Sequence, residues 1–222
     1  MTSPTTDGAM NESPSANVFA LFPIPVVLLK GVVPIELCNK IIDFIQEASQ
    51  QESPECPNLL HTETQSPPLH STFLEVGALL TPCLMAFGEL LFGEEKNWFI
   101  TSMWTNIMLN GGRQSLHNHV NSFVSGVVYL TDVTGNSRTT FHRDPGGSGF
   151  DFRNQSTHTR LGKFSANGWK APVTKKGDAI LFPSYLMHHV PANEGETRMT
   201  LAFNSVPETL DCNNYKLRFL PQ

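Results

Sequence analysis

Three short segments of the chain carry side chains that could do chemistry together. The first is His117-Asn118-His119. In an extended segment alternate residues share a face, so both imidazoles can enter one interior. Neutral imidazole is a good ligand for iron, zinc or copper. Taken alone, His-x-His is more often an incidental surface or core pair. The second segment is Phe182-Pro183-Ser184-Tyr185-Leu186-Met187-His188-His189-Val190, delivered by the apolar run Gly177–Phe182. Its bland reading is one core histidine bonded to a carbonyl and one solvent histidine. The third is Arg198 with Thr200, which share a strand face and could clamp a carboxylate. Alone, Arg198 reads as an exposed edge arginine. Taken together, the three are more specific. Two close histidines precede a strand, a third follows much later, and a basic residue lies one strand beyond. That order is the layout of a double-stranded β-helix metal site.

The elements that must position these residues are β-type. From Trp98 onward, short β-branched and aromatic runs alternate with turn residues. The pattern predicts strands at Phe99–Leu109, Phe123–Leu130, Arg138–His142, Ala179–Phe182 and Thr197–Asn204. Turn signals stand at Asn110-Gly111-Gly112, Gly135-Asn136, Pro145-Gly146-Gly147 and Glu194-Gly195. Before them, Phe19–Leu29 reads as an edge strand because of its prolines. Leu37, Ile41, Phe44, Ile45 and Ala48 predict an amphipathic helix over 34–50, with Pro34 in its first turn. Residues 51–70, with four prolines, read as a loop. Thr72-x-x-Glu75 has capping-box form and predicts a second helix to about Leu91, kinked or divided by Pro82. Helices first and antiparallel strands after imply an α+β domain with helices packed on a sandwich or jelly roll.

Bulk properties narrow the function classes. The chain has 222 residues, 40% hydrophobic and 16% charged, with net charge -5. That balance is globular, and the acidic charge counts against a nucleic-acid partner. The most apolar stretch, Val76–Gly88, is shorter than the roughly 20 residues a membrane span needs. No secretory signal opens the chain, and Cys38, Cys56, Cys83 and Cys212 form no C-x-x-C pair. Reduced thiols and a cytoplasmic setting are expected. The polar residues 1–16 read as a disordered tail. Residues 17–222 read as a single domain, with N-terminal strand and helices over 17–97, a jelly-roll core over 98–206 and an extension over 207–222.

Over roughly Trp104 to Asn204 the chain resembles the iron(II)/2-oxoglutarate-dependent oxygenases. It is most similar to a small bacterial and phage group with a His-x-His…His motif. The resemblance is carried by Trp104-x-Asn106, His117-x-His119, Ser125-Gly126-Val127-Val128-Tyr129-Leu130, Phe182-Pro183-Ser184-x-Leu186-x-His188-x-Val190 and Arg198-x-Thr200-x-Ala202-Phe203-Asn204. Leu21-Phe22-Pro23-Ile24-Pro25 also looks like that group's opening. The resemblance implies a double-stranded β-helix, cupin-like, with N-terminal helices against it. It implies iron(II) as metal and 2-oxoglutarate as co-substrate. It makes His117 the first ligand and His188, rather than His189, the distal one. Arg198 and Thr200 match the residues that bind the far carboxylate of 2-oxoglutarate. Tyr129 matches a tyrosine that bonds the same carboxylate, and Asn106 is placed at the co-substrate pocket. The implied reaction is oxidation, by O2, of a C–H bond in a small molecule or peptide, with release of succinate and CO2.

His119 departs from the usual pattern, where a carboxylate completes the triad. Three outcomes stay open. His119 is the third ligand, or it stands behind a water or anion, or the protein has left 2-oxoglutarate chemistry. Two rivals follow: a three-histidine dioxygenase of cupin type, and a non-catalytic jelly-roll module or structural zinc site. The zinc site would need His142 or Cys212 as fourth ligand. The insertion from Phe141 to Val173 reads equally as a lid or as an ordinary connection with His142, Phe150, Phe152, His158, Phe164 and Trp169 as anchors. Its Arg143, Arg153, Arg160 and Lys163 suggest an anionic substrate. Monomer and homodimer both stay open.

Overall fold

The computed structural model describes residues 22–133, 135–143, 156–160, 162, 163 and 165–220. The expected tail over 1–16, the first residues of the 19–29 run, the Pro145-Gly146-Gly147 turn, and Phe150, Phe152, Arg153 and Phe164 lie outside the described residues. In chain order the elements are β1 (Val27–Leu29), α1 (Ile35–Glu47), β2 (Gln50–Glu52), β3 (Leu59–Thr62), α2 (Ser71–Phe92), β4 (Trp98–Met108), β5 (Gln114–His117), β6 (Val124–Tyr129), β7 (Thr140–His142), β8 (Gly168–Lys170), β9 (Ala179–Pro183), β10 (His188–Val190), β11 (Arg198–Pro207), β12 (Thr209–Cys212) and β13 (Tyr215–Arg218).

β9 is buried at every position because both its faces are covered. Ala179 and Leu181 join a core with Leu37, Ile41 and Ile45 of α1 and Phe73, Val76, Leu80, Leu84 and Phe87 of α2. Ile180 and Phe182 face the other way, onto Tyr129, Phe141 and Leu186. The same alternation runs along β11, where Leu201 and Phe203 meet the helices while Arg198, Thr200, Ala202 and Asn204 line a cavity. β9 and β11 belong to a seven-stranded sheet ordered β1-β9-β6-β11-β4-β3-β2, which stands with a four-stranded sheet ordered β5-β10-β7-β8. The pairings within both are antiparallel. The molecule is the α+β jelly roll, a double-stranded β-helix with helices on the back of its larger sheet.

Several local expectations change. Residues 51–70 hold the hairpin of β2 and β3, whose pairing with β4 comes from a distant part of the chain. Pro54 and Pro57 lie in the loop between the two strands, and Pro67 and Pro68 follow β3. α2 has His70 at its N-cap with no side-chain bond there, and Thr72 is buried, so the capping box does not form. Pro82 does not divide α2. Ala78, whose carbonyl loses its partner at Pro82, lies on the exposed side, where water can serve it. Gly93 ends the helix in the left-handed region at φ 70°. α2 spans 22 residues with a mean hydropathy of 1.5, so by length and composition it could cross a membrane. The apolar stretch Val76–Gly88 is therefore only part of a longer apolar helix. What marks α2 as a core helix is the packing of its Phe73–Phe87 side on the sheet.

Candidate metal and co-substrate site

β5 and β10 pair with His117 directly opposite His188. The register then slips: Val190 pairs with Gln114, so β5 carries an extra residue next to the histidines. Such bulges re-aim side chains. His119 lies just beyond the end of β5, where its backbone N–H donates to Ser184 O at 2.9 Å. The outcome is a cluster of three imidazoles with ligand atoms all within 4.8 Å of one another.

In each ring one nitrogen is committed. His117 Nδ1 donates to Ser115 O at 2.8 Å, and His188 Nδ1 donates to Leu186 O at 2.9 Å. His119 Nδ1 donates to Asn204 Oδ1 at 2.6 Å. A proton held on Nδ1 leaves Nε2 as a lone pair, the form that binds a metal. Burial lowers the pKa of all three rings. His188, also beside His117, is pulled down to about 3. Three neutral, oriented imidazoles suit a first-row transition metal and leave positions open for other ligands.

A cavity of about 320 Å³ holds the triad, with Arg198, Thr200, Asn106 and Asn204 also in its lining. Arg198 is 4% exposed. Its Nε and the Thr200 hydroxyl have no hydrogen-bond partner among the described residues. Its terminal nitrogen reaches Thr139 Oγ1 only at 3.5 Å. Burial lowers the Arg198 pKa, partly offset by Tyr129, whose ring centroid lies 5.5 Å from the guanidinium carbon. Arginine nevertheless stays charged in proteins, so this is a buried cation without an anion among the described residues. Tyr129 OH is engaged with Thr139 Oγ1 at 3.2 Å. Across the larger sheet, His61, Asn106, Thr200 and Tyr129 stand in one row of paired residues. A cleft of similar volume among Glu94, Lys96 and Asp211 is lined by surface charges and holds none of these groups.

Thus the structure brings His117, His119, His188, Arg198, Thr200 and Asn106 into one cavity and sets Tyr129 behind Arg198. His189 turns away and meets His142, Nδ1 to Nε2, at 2.7 Å. No fourth histidine, cysteine or carboxylate joins the triad among the described residues. His142 is held by His189, and Cys212 lies on the β12–β13 hairpin. Sequence reasoning missed His61, which lines the cavity and hydrogen-bonds the Asn106 side chain. The only available signal was the apolar Leu59-Leu60 before it, hidden among prolines. It also gave Asn204 no role.

Residues 102–204 match the model of a family described as "Putative 2OG-Fe(II) oxygenase". No curated protein matches the chain. Among solved structures, HygX from Streptomyces hygroscopicus, with nickel and 2-oxoglutarate bound, superposes with a TM-score of 0.60 at 14% identity, covering 83% of each chain. The epimerase SnoN, in complex with Fe3+, alpha ketoglutarate and nogalamycin RO, gives 0.60 at 14%, covering 84% of this chain and 80% of its own. A Pseudomonas putida prolyl-4-hydroxylase gives 0.54 at 13%, covering 82% and 92%. At such identities the likeness is one of fold.

Proposed function

Because residues 102–204 match the 2OG-Fe(II) oxygenase model, we propose that this chain is an iron(II)- and 2-oxoglutarate-dependent dioxygenase with His117, His119 and His188 as its metal ligands. The observation that carries the reading is Arg198. A buried guanidinium whose Nε has no partner among the described residues, beside a Thr200 hydroxyl in the same state, is costly until an anion answers it. The far carboxylate of 2-oxoglutarate would do so, and a three-histidine dioxygenase that binds substrate directly has no use for this pair.

When bound, iron(II) with 2-oxoglutarate and O2 supplies oxidation of a C–H bond coupled to decarboxylation of 2-oxoglutarate to succinate and CO2. The chain supplies orientation and shelter. Arg198 and Thr200 hold the carboxylate by charge and hydrogen bonds. Tyr129 backs the guanidinium, and Asn106 stands next to Thr200 in the same row. Met108, Val127 and Val190 give the cavity apolar walls that exclude water. The substrate is a small molecule or peptide; HygX with hygromycin B bound and SnoN with nogalamycin RO support the former. The cavity lining contains no carboxylate among the described residues, so an anionic substrate meets no repulsion there. The four cysteines are unpaired, which supports a reducing, cytoplasmic setting.

The test is anaerobic reconstitution with iron(II), then addition of 2-oxoglutarate. A visible charge-transfer band is expected, and succinate once oxygen is admitted. His117→Ala and His188→Ala should lose iron, whereas His189→Ala should keep it. No band and no succinate in the wild type would sink the reading.

A further inference from the structure

Resting on His119 as third ligand, we infer that Asn204 is the positioning residue that lets a histidine serve where a carboxylate would otherwise stand. A carboxylate can ligate through either oxygen. A neutral imidazole ligates only through the nitrogen that lacks the proton, and the partner of the other nitrogen decides which that is. His117 and His188 are set by backbone carbonyls, which can only accept. His119 instead faces a side-chain amide. An amide can present either end. With Oδ1 toward the ring, the proton sits on Nδ1 and Nε2 is free for metal. With the NH2 end toward the ring, the proton sits on Nε2 and the ligand is lost.

In the structure Oδ1 is the end presented. Ser125, 0% exposed, donates its hydroxyl to the same Asn204 Oδ1 at 2.8 Å, so this oxygen faces two donors, the Ser125 hydroxyl and the His119 ring. Ser125 Oγ also lies 2.8 Å from Ser184 Oγ, which lies 2.8 Å from Ser122 Oγ, and the Ser122 hydroxyl faces Val124 O and Ser205 O at 3.2 Å each. The three hydroxyls thus form a packed polar row that ends on Asn204. Ser184 also holds the His119 backbone, because its carbonyl accepts the His119 N–H. Backbone geometry adds to this. Asn204 pairs with Ser102 but Ser205 pairs with Ile100, so Thr101 bulges out of β4 opposite Asn204. The Thr101 hydroxyl donates to Asn204 O at 3.2 Å. Bulges at such places re-aim a side chain.

The role predicts a tautomer, which can be read without turnover. Apoprotein with ¹⁵N-labelled histidines would be examined by long-range ¹H–¹⁵N NMR at neutral pH, alongside Co(II) titration. In the wild type His119 carries its proton on Nδ1. Asn204→Asp, which keeps an acceptor, preserves that state and rescues Co(II) binding. Asn204→Leu moves the proton to Nε2 and weakens Co(II) by about 10–100-fold. Ser125→Ala, a milder change that frees the amide to turn, moves both readouts the same way and serves if Asn204→Leu does not fold. Unchanged tautomer and Co(II) affinity in Ser125→Ala and in any folded Asn204→Leu, with His119→Ala losing Co(II), overturn the role of Asn204 alone. Unchanged Co(II) affinity in His119→Ala overturns the ligand assignment itself, and this inference with it.

Discussion

Arg198 shows how one residue can be arranged for a ligand at the expense of the empty protein. Its charge is 4% exposed and unanswered by any carboxylate among the described residues. Replacing buried charge with an apolar side chain of similar volume is often neutral or stabilising, by about 1–4 kcal/mol. Arg198→Met should therefore melt at the same temperature as the wild-type apoprotein or higher, by scanning calorimetry. It should still bind Co(II), because the triad is untouched. Its affinity for 2-oxoglutarate should fall by about 100-fold or more, since losing one partner of a buried pair costs about 3–5 kcal/mol. Wild-type affinity for 2-oxoglutarate in the variant would remove Arg198 from the site.

At the scale of elements, legibility followed the source of each element's stability. α1 was readable because its buried residues Leu37, Ile41 and Ile45 repeat at helical spacing within one segment. β9 was readable as an apolar run. β3 was not, because what makes Leu59–Thr62 a strand is β4, far along the chain. β10 and β5 are too short to carry a pattern, yet they hold two of the three histidines. Those histidines were found by motif and not by periodicity. His61 went unnoticed for the same reason as its strand, and Asn204 because a tautomer has no sequence signature. Within β6, Gly126 is a packing requirement. A Cβ there would lie 2.3 Å from the Phe203 ring and 2.9 Å from Ile180 O. Phe203 is fully buried and cannot swing aside. Gly126→Ala should cost about 1–3 kcal/mol, measured by urea denaturation. An unchanged midpoint would show that the sheet gives way more easily than its packing indicates.

Over the whole molecule, the triad links the two sheets. His117 and His188 ride on the smaller sheet, while His119 is tied through Asn204 to the larger one. Without metal, the three rings must stay neutral inside. Their pKa values are lowered in the fold, so the unfolded chain binds more protons than the folded one below about 6.5. Apoprotein stability is therefore full above that pH and falls on acidification, by up to about 1.4 kcal/mol per pH unit for His188 on the way to its folded value. Melting curves of the apoprotein from neutral to acid pH should show the decline. Co(II) at neutral pH should raise the melting temperature and slow amide exchange in β5, β10 and the chain between His117 and Phe123, because it binds the folded form only. A melting temperature indifferent to both would mean the cluster bears no load.

That linkage has a consequence for the lifetime of the protein. A metal that joins the two sheets also reduces how often the chain opens to a protease, since cleavage follows the open population when reclosing is fast. The chain made during iron scarcity would be cut sooner than the chain made in plenty. Its abundance would then follow the iron supply with no dedicated sensor, through three imidazoles that either have something to hold or do not.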